Sequence, residues 1–236
     1  MSETPILDPI EAYALWAAEY PAQAHNPLMC AEERAMLALL PEDLHGQTVC
    51  DAGCGSGRYL LHARRRGARM LIGVDLSEAM LRRAEEELSH LLTPEDYAAI
   101  HLERASLEAL PLSEGWADVT LCGLTLGHLP DLEAPLAELR RVTRPGGSVL
   151  CSDIHPVGEA LGWERTFKVG GKRYAVRHTW RNLDAWQAAC ERVGLRILRV
   201  LEPYLDPAEI PHSAHIDPAA LEVPVALALE LQRAAA

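Results

Sequence analysis

The chain has 236 residues, of which 49% are hydrophobic and 24% are charged, and its 34 acidic and 22 basic residues give a net charge of −12. This length and composition suit one globular α/β domain with a sizeable core. The negative charge argues against nucleic acid and against an anionic membrane surface, because both partners require a basic footprint.

Six cysteines are scattered along the chain without a C-x-x-C pair, so neither a zinc site nor a disulfide framework is expected. The N-terminus lacks the basic and apolar regions of a secretory leader, and no apolar run is long enough to cross a membrane. We therefore expect a cytoplasmic protein without a metal ion, either a monomer or a homodimer, with no membrane partner.

Two helices, at 10–20 and 28–40, are predicted before the core, and each ends before a proline. An alternating pattern of strands and helices follows, which predicts parallel pairing in a doubly wound sheet. The predicted strands are 48–51, 69–75, 99–102, 117–122 and 148–153, and the predicted helices between them are 58–66, 77–91 and 132–142.

The C-terminal third has a different pattern. Gly170-Gly171 lies between two β-prone runs in 167–176 and predicts a hairpin. A helix at 183–193 and strands at 195–201 and 224–231 follow. The long loop at 202–218, which contains His212 and His215, is expected to be partly mobile or to lie over a site.

The turn after the first strand, Gly53-Cys54-Gly55-Ser56-Gly57, is the first candidate site. Ligands of open parallel sheets bind beyond the carboxyl ends of the strands. Glycines there permit positive φ and a close approach of the backbone, and the following helix offers free N–H groups.

Two aspartates narrow the choice of ligand. The loop has the form G-x-G-x-G, and Asp51 comes just before it, where a carboxylate would repel a pyrophosphate and favour an amine. Asp75 ends the next strand, where a carboxylate can accept hydrogen bonds from both ribose hydroxyls. A nucleoside that carries an ammonium group and no pyrophosphate is S-adenosylmethionine.

Four segments in register resemble the motifs of class I S-adenosylmethionine-dependent methyltransferases, and the set is similar to the UbiE/COQ5-like, or type 11, small-molecule family. The segments, which together span about 45–153, are 49–58, 73–81, 107–112 and 140–147. The resemblance implies a Rossmann-like, doubly wound, seven-stranded and mostly parallel sheet with helices on both faces and an antiparallel last strand. It also implies one domain, divided into a helical cap (1–44), a cofactor-binding core (45–153), a hairpin insertion (154–182) and a C-terminal part (183–236).

The resemblance also implies roles for individual residues. The methionine part of the cofactor would face Asp51 and the glycine loop, Asp75 would bind the ribose, and Ser106 stands where the family usually has an aspartate near the adenine. The cofactor-binding residues implied are Tyr20, Asp51, Gly53, Cys54, Gly55, Gly57, Asp75, Leu76, Met80, Ser106, Leu107 and Leu124.

Each assignment has a structural alternative. The glycines can serve only a tight turn, Asp75 can serve only as a carboxylate at a helix N-terminus, and Met80 can be a core residue. Tyr13 and Tyr20 can be residues that only stabilise the cap.

Methyl transfer is an in-line displacement, so the enzyme needs a base only where the acceptor must lose a proton. His128 follows the fourth strand and His155 the fifth, which makes them the candidate catalytic residues. A histidine that packs under the following helix is the alternative at His128.

Contacts with the acceptor are expected from the cap and the insertion, where arginines can hold a carboxylate or phosphate in a bidentate manner. The candidates are Tyr13, Arg165, Phe167, Arg177 and His178, and a solvated hairpin is the alternative. The expected acceptor is a small aromatic or acidic metabolite. A non-catalytic S-adenosylmethionine-binding regulatory protein remains the second hypothesis, and a nicotinamide-dependent reductase, which Asp51 disfavours, is the third.

Overall fold

A computed structural model describes residues 4–211, 216 and 218–233. Its strands are β1 (Ile6–Leu7), β2 (Thr48–Ala52), β3 (Met70–Asp75), β4 (Ile100–Arg104), β5 (Ala117–Gly123), β6 (Thr143–Ile154), β7 (Thr166–Val169), β8 (Lys172–Val176), β9 (Leu195–Leu201) and β10 (Ala226–Arg233). Its α-helices are α1 (Pro9–Trp16), α2 (Pro27–Leu39), α3 (Arg58–Arg65), α4 (Glu78–Leu91), α5 (Pro94–Tyr97), α6 (Glu133–Val142), α7 (Val157–Ala160) and α8 (Leu183–Arg192). His212 and His215 lie outside the described residues.

The main sheet has seven strands in the order β4-β3-β2-β5-β6-β10-β9. The neighbours from β4 to β6 are parallel, and β10 runs antiparallel to both β6 and β9. This arrangement confirms the predicted fold class, including the antiparallel last strand. The strand order reverses between β2 and β5, so a crevice opens there at the carboxyl ends of the strands.

Local chemistry explains most of the element boundaries. Asn26, Ser77 and Asn182 cap α2, α4 and α8 by accepting hydrogen bonds from backbone N–H groups. The first predicted helix divides, because α1 ends at Trp16 and a 3₁₀ turn over Ala17–Glu19 follows. Tyr20 is extended, as expected for a residue that precedes a proline.

A second sheet, in the order β1-β8-β7, lies apart from the main one. The predicted hairpin forms β7 and β8, and the turn residues Gly170 and Gly171 have φ of 57° and 78°. The unpredicted strand β1 pairs in parallel with β8. Trp16 of α1 stacks on Phe167 of β7 at 4.8 Å between ring centroids, so the helical cap (4–44) and the hairpin of β7 and β8 are joined. We call these two segments together the cover.

A buried ion pair joins this cover to the core. Glu32 of α2 is 0% exposed, and its Oε2 accepts a hydrogen bond from Nη2 of Arg58 at 2.7 Å. Its other oxygen accepts from the Tyr59 hydroxyl at 2.6 Å and from the Ser152 hydroxyl. One carboxylate therefore connects α2, α3 and β6. Within the described residues, no helix is both long and apolar enough to cross a bilayer.

The substitution Glu32→Gln should lower the free energy of unfolding by about 3 kcal/mol, because the buried Arg58 guanidinium loses its closer counter-charge, at 2.7 Å, and keeps only Glu33, at 3.3 Å. Urea unfolding followed by circular dichroism measures the change. The control Glu86→Gln, which removes a more exposed ion pair with Arg83, should change stability by less than about 0.5 kcal/mol. Equal losses in the two variants would contradict the role given to Glu32.

Candidate functional site

The glycine loop lies between the end of β2 and the start of α3, at the strand-order reversal. Gly53 and Gly57 have φ of 78° and 89°, a region that disfavours side chains. A Cβ atom on Gly53 would lie 2.5 Å from Thr125 Cγ2, and one on Gly57 would lie 2.8 Å from Leu88 Cδ1. Both conformation and space therefore require glycine at these two positions.

Asp75 fixes the shape of this loop from the end of β3. Its Oδ2 accepts a hydrogen bond from the Gly55 backbone N–H at 2.9 Å, and its Oδ1 accepts from the Ser77 N–H at 2.8 Å. Burial raises the pKa of this carboxyl, and the three backbone N–H groups around it, including that of Leu76, act against the rise.

Asp51 is a buried carboxylate that no hydrogen bond from the described part of the chain stabilises. It is 1% exposed, and neither of its oxygens has a hydrogen-bond partner among the described residues. Burial raises its pKa to about 7, although the positive charge of Arg58 lowers it. An uncompensated carboxylate of this kind costs folding free energy, and an added positive charge nearby would reduce that cost.

The loops after β2, β3 and β5 enclose a cavity of about 310 Å³, which we call the loop cavity. It brings together most of the residues predicted for the site, which are Tyr13, Tyr20, Gly53, Cys54, Gly55, Asp75, Leu76, Met80, Ser106, Leu107, Leu124, His128 and Arg165. Ser56 of the predicted glycine loop also lines it, as do Asp8, Arg58, Ser77 and Thr125, which the sequence does not single out for the site.

The other predicted residues do not line the loop cavity. Asp51 lies near the end of β2, just before the glycine loop, and Gly57, the last residue of the loop, is the N-cap of α3. Phe167 is buried in the cover, and Arg177 is exposed and pairs with Asp8 at 3.6 Å.

The histidines His155 and His178 also lie away from this cavity. His155 Nε2 is 2.9 Å from Glu202 Oε1, and its Nδ1 accepts from the Val157 N–H, so both ring nitrogens are engaged elsewhere. His178 is buried against Trp180, with its Nε2 3.6 Å from Asp153 Oδ1. Burial lowers the pKa of His178 to about 4.

Tyr13 and His128 form a hydrogen-bonded pair at the edge of the loop cavity, with 3.0 Å between Tyr13 Oη and His128 Nε2. His128 Nδ1 lies 3.0 Å from the Arg177 carbonyl, which can only accept, so the proton is assigned to Nδ1. Nε2 then accepts from the Tyr13 hydroxyl. Burial, with a smaller contribution from Arg165, holds the pKa of His128 well below its usual value, so the ring is neutral.

A second cavity of about 310 Å³ adjoins the first, and we call it the tryptophan cavity after Trp16, Trp163 and Trp180 in its wall. Leu28, Met29 and Ile154 add apolar surface, and Tyr20, Leu124 and Arg165 line both cavities. Leu124 has φ of 53°, the one positive φ among non-glycine residues in the part of the chain that the structure describes. Such strain persists only where surrounding contacts fix it, and it is concentrated at functional sites.

A family model for a methyltransferase domain matches residues 50–151. The chain is 35% identical over 144 residues to a malonyl-[acyl-carrier protein] O-methyltransferase of Erwinia billingiae, covering 61% of this chain and 52% of that protein. It is 32% identical over 167 residues to a tRNA U34 carboxymethyltransferase of Pseudoalteromonas translucida, covering 69% of this chain and 49% of that protein. The chain thus spans about half the length of these curated relatives.

Among solved structures, the fold is similar to that of an S-adenosylmethionine-dependent methyltransferase from Mesorhizobium loti, with a TM-score of 0.67 and 28% identity. The similarity covers 86% of this chain and 98% of that one. The methyltransferase domain, the glycine loop with Asp75 and the similarity to this solved structure agree on one cofactor, S-adenosylmethionine. The chain belongs to the class I S-adenosylmethionine-dependent methyltransferases.

Proposed function

We propose that this methyltransferase acts on a small molecule held in the tryptophan cavity. The observation that carries the proposal is the wall that the two cavities share at Tyr20, Leu124 and Arg165. A donor in the loop cavity and an acceptor in the tryptophan cavity would meet at this wall. Holding the two reactants in line is the main requirement of a methyl displacement.

The loop cavity suits the cofactor part by part. Asp75 would accept the ribose hydroxyls, and the adenine would lie between Met80 on one side and Ser106 and Leu107 on the other. The methionine part would lie over the glycine loop, where its ammonium group approaches the uncompensated charge of Asp51. In this proposal the core 45–153 binds the donor, and segments 1–44 and 154–182 enclose the acceptor.

Charge supports a small acceptor over a nucleic acid. One relative is named for tRNA, but this chain carries a net charge of −12, and nucleic-acid binding depends on basic groups that neutralise phosphates. The tryptophan cavity also has the apolar lining and few polar groups that are typical of small-molecule sites.

Tyr13 and His128 would remove a proton where the acceptor has one to lose. The acceptor proton would pass to Tyr13 Oη while the Tyr13 proton moves to His128 Nε2. The hydrogen bond of His128 Nδ1 to the Arg177 carbonyl supports this role, because it keeps Nε2 free to accept.

The substitution Asp75→Asn should weaken the binding of S-adenosylhomocysteine by about 1–3 kcal/mol, because a ribose hydroxyl loses a charged acceptor. Isothermal titration calorimetry measures the effect. Glu85→Gln, on the exposed side of the following helix, is the matched control and should leave affinity unchanged. An unchanged affinity for Asp75→Asn would show that Asp75 does not bind the ribose.

The affinity for S-adenosylhomocysteine should also depend on pH through Asp51. The pKa of Asp51 is raised to about 7, so the carboxyl is mostly protonated at pH 6 and mostly ionised at pH 8. We expect the dissociation constant to be about threefold larger at pH 6, because only the ionised form attracts the ammonium group. Asp51→Asn should remove the dependence, and 5′-methylthioadenosine, which lacks the ammonium, should not show it. A dependence that survives in Asp51→Asn would assign it to another group.

The substitution His128→Ala tests the proton-accepting role with an acceptor that loses a proton. A proton-accepting role predicts a loss in kcat of about 10²-fold at unchanged affinity for S-adenosylhomocysteine. Acceptors are found by following conversion of S-adenosylmethionine to S-adenosylhomocysteine with a metabolite pool. A lower melting temperature at unchanged kcat would make His128 a residue of the core only. Turnover with tRNA and none with metabolites would overturn the proposed acceptor class.

A further inference from the structure

Arg165 occupies the wall between the two cavities, just before β7. Its Nη1 donates to the Leu124 carbonyl at 2.9 Å. Among the described residues, no carboxylate oxygen lies within the 4.0 Å of an ion pair from this guanidinium, whereas Arg58, Arg64 and Arg141 each have such a partner. The carboxyl that most affects Arg165 is Asp153, whose own pKa is raised by burial to about 7.

The tyrosine side chains beside Arg165 offer it neutral hydroxyl oxygens that can accept hydrogen bonds, but no negative charge. The Tyr13 hydroxyl donates to His128 Nε2, and the Tyr20 hydroxyl donates to Met29 Sδ at 3.8 Å. Both phenol oxygens are therefore left to accept from the guanidinium beside them. Burial opposes the charge of Arg165, but Tyr13, Tyr20 and Asp153 outweigh it and raise the pKa. The guanidinium therefore stays charged with no carboxylate of the described residues in direct contact, and an anion that enters the site can pair with it.

The walls around Arg165 indicate the rest of the ligand. The tryptophan cavity presents three indole rings and the side chains of Leu28, Met29 and Ile154, and Arg165 is the one cation in its described lining. Glu164 also borders this cavity, but its side chain is largely exposed to solvent. The cavity is therefore apolar with one cationic corner, at the wall shared with the loop cavity.

We propose that the acceptor carries a carboxylate, which Arg165 binds through both of its terminal nitrogens while a flat apolar body lies among Trp16, Trp163 and Trp180. This inference rests on the proposed function and names the chemical class of its acceptor. The Leu124 carbonyl orients Arg165, so the strained backbone at Leu124 sets the direction in which the guanidinium points.

The cofactor also has a carboxylate, on its methionine part, and it is the competing partner for Arg165. The free N–H groups at the N-terminus of α3, beside the glycine loop, offer that carboxylate a separate site. The tryptophan cavity offers no second cation among its described lining residues, so an anionic acceptor would depend on Arg165 alone.

Binding of matched acids and amides to the protein saturated with S-adenosylhomocysteine tests this proposal. The probes are indole-3-acetate, benzoate and octanoate, each compared with its neutral amide by calorimetry. We expect at least one acid to bind about tenfold or more tightly than its amide, because a bidentate charged pair increases the affinity by about ten- to a hundredfold. Arg165→Gln should remove the preference, and Arg165→Lys should retain part of it.

Arg173→Gln is the matched control, because Arg173 lies on β8 of the same hairpin, is exposed and contacts the Thr166 hydroxyl. It should leave the preference for acids unchanged. Equal binding of every acid and its amide to the unmodified protein would overturn the proposal. So would an Arg165→Gln variant that loses affinity for S-adenosylhomocysteine but not for 5′-methylthioadenosine, because Arg165 would then bind the cofactor carboxylate. Failure to bind S-adenosylhomocysteine at all would instead contradict the cofactor-binding geometry.

Discussion

The position of the glycine loop relative to its cover depends on one carboxylate that has no contact with water. Glu32 binds Arg58, Tyr59 and Ser152, which belong to the helix after the loop and to the sheet. Removing a carboxylate and a guanidinium from water is costly, and only a fully satisfied arrangement recovers that cost. Because Arg58 also lines the loop cavity, the contact that holds α2 on the core also fixes part of the wall around the cofactor.

Local rules made the core of this protein predictable from its sequence. The strand before the glycine loop, the N-cap at Ser77 and the Gly170-Gly171 turn are each determined by neighbouring residues. The position of Asp75 is predictable as well, because the end of β3 must lie beside the end of β2 in a parallel sheet. Most predicted cofactor residues therefore line one cavity, since they follow adjacent strands.

Features that depend on distant contacts could not be predicted in this way. Strand β1 has two residues and forms only because β8 is available beside it. Nothing near Leu124 in the sequence indicates its positive φ, which serves a carbonyl bonded to Arg165. His155 follows a strand as His128 does, but its strand lies one position further from the reversal of strand order, and Glu202 engages it there.

The site is divided between loops of the main sheet and segments of the cover, and this division has an evolutionary consequence. The donor side is built from loops of the main sheet, where Gly53, Gly57 and Asp75 leave little freedom for substitution. The proposed acceptor side is built mainly from α1, the hairpin and its flanking tryptophans, which lie outside the main sheet. Apart from positions such as Tyr20 and Glu32, which line the loop cavity or fix its wall, mutations can therefore accumulate in the cover without damage to the methyl donor site. A lineage can then change what it methylates while it keeps the same source of methyl groups.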